Sequence, residues 1–259
     1  MKVDRREIAP EQVLQERQYY LPYHYIPRRL RGRIVYAARV DWAAEYLKSI
    51  ELVAATVAEG GAMRILDLGC GDGRLVNELS GRFQDRHFVG VDYSRRAIAL
   101  AELYRENANA EFIAGTPEST GLPRASYDLV SLIEVLEHIP INEAEDFVRR
   151  AFEMVRPGGA LLVTVPHANK PVQRKHFQHF TGAALAAMLS NATAQPARAV
   201  ELRFVDSRQR GVAWLRSKLA TNRFFTIEPL FQAELQRRSV LEFVPEDQCG
   251  RIVAQVRRT

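Results

Sequence analysis

With 259 residues, 47% of them hydrophobic, the chain can bury a sizeable core, which excludes intrinsic disorder. No apolar run approaches the roughly 18 residues a membrane helix needs, and the opening MKVDRREIAPEQ lacks the apolar stretch of a secretory signal, so a cytoplasmic protein without a membrane span is expected. The net charge of +5 sits on the flanks: residues 1–48 carry 10 basic and 6 acidic side chains and residues 201–259 carry 11 and 7, against 15 and 18 between them, which suits an anionic partner and equally a solvated basic surface.

In chain order, Glu11–Tyr20 reads as a short helix entered from Pro10. The prolines of LPYHYIP (Leu21–Pro27) bar regular structure there, and its rings suit either a lid over a bound ligand or a clasp for the N-terminus. Apolar residues at Val40, Ala44, Leu47, Ile50, Val53 and Val57 predict a helix over Tyr36–Glu59, ended by Gly60 and Gly61.

Met63–Leu75, MRILDLGCGDGRL, is the centre of the chain. An apolar strand breaks into Gly69, Gly71 and Gly73 and resumes as a helix from Arg74 to Phe83. Glycines admit conformations closed to other residues and let a ligand lie against the main chain, while the helix start offers unpaired N–H groups. The dinucleotide fingerprint places its third glycine three positions after the second, where this chain has Arg74. Asp67, two residues before the first glycine, would meet a ligand ammonium but repel a pyrophosphate, so a sulfonium amino acid suits the loop better than a dinucleotide. Cys70 is read as a small packing residue. With Cys249 as the only other cysteine, no disulfide framework is expected.

Beyond the loop, His87–Asp92 predicts a second strand, followed by a helix capped by Ser94 and running to about Asn107. Strands are expected at Glu111–Ala114, Tyr127–Ile133 and Ala160–Val165, with a helix over Asn142–Val155 and a turn at Pro157–Gly159. Thr181–Leu189 reads as a helix, Ala199–Val205 and Arg251–Val256 as the last two strands, and Arg208–Lys218 and Glu228–Arg238 as helices inserted between them. Alternating strands and helices imply an α/β fold: a doubly wound, mostly parallel seven-stranded sheet with helices on both faces. One domain is expected, comprising an N-terminal helical extension (1–60), a cofactor-binding core (61–206), an insertion (207–250) and a last strand (251–259).

DLGCGDG resembles motif I of the class I, Rossmann-like methyltransferases that use S-adenosylmethionine (SAM). FVGVD, YDLVSLIEVLE and VRPGGALLVTVP resemble that family's later motifs in order, and the resemblance runs from Leu47 to Leu189. It implies SAM as cofactor, held by Asp67, Gly69, Cys70, Gly71 and Gly73, by Asp92 and Tyr93 at the ribose, by Thr116 and Pro117 at the adenine, and by Glu134 at the methionine end. Many members have an acid after strand three for the adenine amino group; this chain has Gly115, Thr116 and Pro117. In looser features, PHANKP and KHFQHFT among them, the chain is similar to methyltransferases of cell-surface glycan and natural-product pathways, which implies a sugar or small-metabolite hydroxyl (or amine) as acceptor.

A hydroxyl acceptor needs a base or a metal to remove its proton. His138, His176 and His179, with Glu137, are the candidates, since ligands lie at the carboxyl ends of strands and these residues follow strands four and five. The same residues also form a mixed oxygen and nitrogen set, Glu134, Glu137, His138 and His176, that would suit a divalent metal, although the base without metal is favoured. That pattern resembles the metal-dependent 2′-O-methyltransferases of small RNAs, which makes RNA a rival acceptor. A SAM-binding module without catalysis is the other rival.

Overall fold

The computed structural model describes residues 10–16, 19, 29–30, 33–34, 40–205, 215–216, 219–220 and 227–259. The segment Leu21–Pro27, the start of the helix expected from Tyr36, and the helix expected over Arg208–Lys218, apart from the helical Leu215 and Arg216, lie outside these residues.

Seven strands form one sheet: β1 (Arg64–Leu68), β2 (His87–Asp92), β3 (Ala110–Ala114), β4 (Tyr127–Ile133), β5 (Val155–Pro166), β6 (Val200–Val205) and β7 (Arg251–Arg257). Their spatial order is β3-β2-β1-β4-β5-β7-β6. Neighbours from β3 to β5 pair in parallel, and β7 runs antiparallel to both β5 and β6. The helices are α1 (Pro10–Glu16), α2 (Val40–Gly60), α3 (Arg74–Arg82), α4 (Arg95–Leu103), α5 (Ile141–Met154), α6 (Gly182–Thr193) and α7 (Glu228–Arg238).

The central strands bury both faces, as parallel strands between helix layers must. Ile65, Phe88, Leu129 and Leu162 pack against α2, α3 and α4. Their neighbours Leu66, Val89, Val130 and Leu161 pack against α5 and α6. The second helix of the expected insertion, α7, lies on α2 through Phe231 and Leu235 against Ala44 and Leu47.

The expected turn at Pro157–Gly159 is a bulge within β5: Val155 pairs with Tyr127, the chain loops out, and Ala160 pairs with Leu129. Close approach enforces the glycine here, because a Cβ on Gly159 would lie 2.8 Å from the Asp128 carbonyl. Helix α6 runs four residues past the expected end at Leu189 and stops where Ala194 turns left-handed (φ 53°).

Candidate active site

The turn from β1 into α3 holds three left-handed glycines, with φ of 81° at Gly69, 57° at Gly71 and 74° at Gly73. Two of them also serve packing. A Cβ on Gly69 would lie 2.5 Å from the Val135 side chain, and one on Gly73 would lie 2.5 Å from Ala101 and 2.7 Å from Phe112. The loop can therefore press against the motif after β4 on one side and against α4 and β3 on the other.

Asp92 ends β2 and accepts hydrogen bonds from Gly71 N–H at 3.0 Å and Ser94 N–H at 2.8 Å. Its carboxylate thus fixes the glycine loop and the start of α4 together. Gly69 and Asp92 border a cleft of about 900 Å³ at the carboxyl ends of β1, β2 and β4. Gly69, Asp92, Tyr93, Thr116, Pro117 and Glu134 line this cleft, so six of the ten residues expected at the cofactor meet there.

The other four lie outside its lining. Asp67 is buried and accepts the Ser131 hydroxyl at 2.7 Å. Cys70 lies over Gly90, where an added Cβ would come within 2.9 Å of its sulfur. Burial, and after it the carboxylates of Asp92, Asp67 and Asp72, push the Cys70 thiol well above its usual pKa, so it stays protonated. Gly71 and Gly73 shape the loop from behind.

Sequence reasoning missed the wall contributed by α1. Glu11, Gln12, Gln15 and Tyr19 line the cleft, and Glu16 ties the helix down by accepting the Ser94 hydroxyl at 3.0 Å. The Gln15 side-chain oxygen is buried without a hydrogen-bond partner. The signal available was the polar residues spaced three and four apart on one helix face, but nothing in seven residues says what that face covers.

At the far wall, Glu134 is left-handed (φ 56°), a conformation that costs a non-glycine residue energy and recurs at functional sites. Its carboxylate accepts the Thr164 hydroxyl at 2.9 Å and pairs with Arg251 at 3.0 Å. Burial alone would raise its pKa, but Arg251 and then Lys170 hold it below the usual value, so it is ionised. Glu137 is its opposite: burial and the Glu134 charge push it well above the ordinary range, and one of its buried oxygens has no hydrogen-bond partner. Two carboxyl groups three residues apart thus hold different protonation states.

His138, His176 and His179 come together, while His167, the other histidine after β5, pairs with Glu246 at 3.1 Å; the tautomers of the three follow from their partners. Carbonyl oxygens only accept, so His138 Nδ1–H donates to the Lys175 carbonyl at 2.9 Å and His179 Nδ1–H to the Lys170 carbonyl at 3.0 Å. The bare Nε2 of neutral His179 then accepts from His176 Nδ1–H at 2.8 Å. Both His138 and His176 are left with an unprotonated Nε2, and their rings meet edge to face at 4.8 Å. Burial, then the Lys175 charge, lowers His138 to about 4, and burial, then His138 and Lys175, lowers His176 to about 3. His138 lines the cleft, and His176 and His179 lie outside its lining. Glu137, His138 and His176 each offer one ligand atom within 4.8 Å of the others, a group that could hold a metal ion.

Parallel strands, a glycine turn and a ligand cleft at the strand ends define a Rossmann-like fold. Residues 65–159 match the family model described as a methyltransferase domain. A ubiquinone biosynthesis O-methyltransferase of Azorhizobium caulinodans is 36% identical over 104 residues, 39% of this chain and 40% of that protein. The chain thus matches about two fifths of that relative's length. Among solved structures, the [4+2]-cyclase SpnF superposes with a TM-score of 0.62 at 18% identity, covering 96% of both chains. The SAM-bound magnesium protoporphyrin IX methyltransferase of Synechocystis PCC 6803 gives 0.59 at 15% identity, covering 96% of this chain and 98% of that one. At such identities the structural likeness speaks for the fold. No helix among the described residues is long and apolar enough to cross a membrane.

Proposed function

We propose that the chain is a SAM-dependent methyltransferase that methylates a hydroxyl of a small molecule, with His138 as the base. The observation that carries this is the neutral His138 ring, anchored through Nδ1, lining the same cleft as Asp92 and Glu134. SAM would be held by Asp92 and Tyr93 at the ribose, by Gly69 and by Thr116 and Pro117, with Glu134 toward the methionine. Its sulfonium supplies the methyl group. The cleft fits such a guest: it offers an ionised carboxylate at Glu134, a second carboxyl group at Asp92, and, in Gln15, an amide oxygen that lacks a donor. His138 Nε2 takes the acceptor's proton as the oxygen is methylated, and the Lys175 carbonyl keeps its partner nitrogen protonated, so only Nε2 can do this. Whether the small molecule is a sugar, as the looser resemblance suggests, or another metabolite, as the relative's name suggests, is decided by the acceptor panel below.

Calorimetric titration with SAM and its demethylated product, followed by turnover on a panel of sugar and aromatic hydroxyl compounds, tests the proposal. Micromolar binding with methyl transfer to one of them is expected. Binding without turnover on any acceptor would favour a SAM-binding module, and absence of binding would overturn the cofactor assignment. Asp92→Ala should weaken SAM by roughly 1–3 kcal/mol, because it removes a ribose partner and strips Gly71 N–H of its acceptor. Unchanged affinity in the same titration would remove Asp92 from the site.

The clustered ligand atoms of Glu137, His138 and His176, with the unpartnered Glu137 oxygen, favour a second reading in which a divalent ion activates the acceptor. Manganese should then bind in a separate isotherm that Glu137→Gln removes, and activity should fall on chelation. RNA would in that case join the acceptors to be tried. Activity indifferent to chelation leaves the histidine base in place.

A further inference from the structure

The segment between β5 and α6, residues 167–182, carries His176 and His179 and grips the short turn Leu136–His138 at two points. Phe177 N–H donates to the Glu137 carbonyl at 2.8 Å, and the Lys175 carbonyl accepts His138 Nδ1–H at 2.9 Å. The second bond decides which ring nitrogen is bare. In water, neutral histidine favours the Nε2–H tautomer, so the base keeps a free Nε2 only while the Lys175 carbonyl stays in place.

The two ends of this segment are drawn together by backbone bonds, Ala168 N–H to the Phe180 carbonyl at 2.7 Å and Phe180 N–H to the Pro166 carbonyl at 3.2 Å. One carboxylate oxygen then spans both ends. Glu246 Oε1 accepts from His167 Nε2–H at 3.1 Å and from Gly182 N–H at 2.7 Å. The His167 tautomer is fixed by Asn169, whose N–H donates to Nδ1 at 2.9 Å and leaves the proton on Nε2. Asn169 also seats Glu246 itself, its side-chain amide donating to the Glu246 carbonyl at 2.9 Å and to the Cys249 carbonyl at 3.1 Å. The fit leaves no room for a side chain at Gly182: a Cβ there would lie 3.0 Å from Glu246 Oε1 and 2.9 Å from the Phe204 ring.

We infer that Glu246 is a positioning residue of the transfer centre: it clamps both ends of residues 167–182 and thereby keeps His138 in the tautomer whose Nε2 is free. The inference rests on His138 being the base, as proposed above.

Glu246→Ala removes the clamp, Glu246→Gln keeps an oxygen that can accept from both ends, and Gly182→Ala leaves the carboxylate but pushes it aside. The direct readout is the tautomer. With isotope-labelled histidine, long-range proton–nitrogen correlation spectra of the full chain at neutral pH distinguish Nδ1–H from Nε2–H in each of the six rings, and His138→Asn identifies the His138 signals. Wild type and Glu246→Gln should show His138 as Nδ1–H, whereas Glu246→Ala and Gly182→Ala should show it mainly as Nε2–H. Turnover should fall roughly 10–100-fold in the same two variants, while S-adenosylhomocysteine binds within about twofold of wild type. A folded Glu246→Ala protein with His138 still Nδ1–H and kcat unchanged overturns the inference, and Gly182→Ala carries the same test if Glu246→Ala does not fold. Cofactor affinity lost in step with kcat also overturns it, since Glu246 would then be merely structural. A tautomer that switches without loss of turnover leaves the clamp standing and fails instead the assignment of His138 as base, which separates the two.

Discussion

Gly73→Val is expected to destabilise the protein by roughly 2–6 kcal/mol, lowering Tm by roughly 5–20 °C, and to abolish cofactor binding in whatever remains folded. Two costs combine. A φ of 74° is strained for any β-branched residue, and the new Cβ would stand 2.5 Å from Ala101 and 2.7 Å from Phe112, both buried in the core. Neither neighbour can yield: Ala101 holds α4 against the sheet and Phe112 belongs to β3. Gly121→Val separates the terms, since Gly121 has a φ of 66° but open space around its Cβ position. It should cost only the strain, roughly 1–2 kcal/mol. Equal losses of Tm in the two variants would show that packing behind the glycine loop is unimportant.

The second large effect is catalytic. If His138 is the base, as proposed, His138→Asn should lower kcat by roughly 10²–10⁴ while changing the affinity for SAM by only a few fold. The pH dependence is distinctive. A free histidine would place the acid limb of the rate profile near about 6.5, but burial and Lys175 bring His138 down to about 4. On the proposed role, His138 is competent through the whole neutral range, and the rate should fall only toward pH 4. Stability moves in the same window. The folded-state value lies below the unfolded one, so the stabilisation from keeping this ring neutral is complete above about pH 6.5 and is lost as pH falls toward 4. A rate profile with its acid limb at 6 or above would mean that another group, or a more exposed His138, carries the proton.

The sheet was legible in the sequence for a physical reason. Strands buried on both faces are largely apolar, and Ile65–Leu68, Phe88–Val91 and Leu129–Ile133 announce themselves by such runs, broken only at Asp67, Gly90 and Ser131 and each followed by turn chemistry and an amphipathic helix. The meeting of His138, His176 and His179 followed from the rule that ligands lie at the carboxyl ends of strands. What escaped depends on tertiary contact. Asp67 accepts the Ser131 hydroxyl of the neighbouring strand, a contact that no spacing in the sequence announces. Gly90 reads as an ordinary residue of β2 until Cys70 is seen lying over it. The α1 wall is seven polar-faced residues whose purpose exists only opposite Asp92 and Tyr93, and the opposed protonation of Glu134 and Glu137 depends on Arg251, 117 positions further on.

That last partner has a consequence for how the molecule is made. Strand β7 does not extend the edge of the sheet; it slots between β5 and β6, and Arg251 enters with it to complete the charge pattern around Glu134. Cofactor loop, histidines and first five strands can assemble from residues up to Phe180, but until β7 arrives β6 has no neighbouring strand to pair with and Glu134 would be a buried anion without its guanidinium. Closing so long a loop is slow relative to the local contacts of the βα units. The charge pattern around Glu134 is therefore completed only when the last strand is in place.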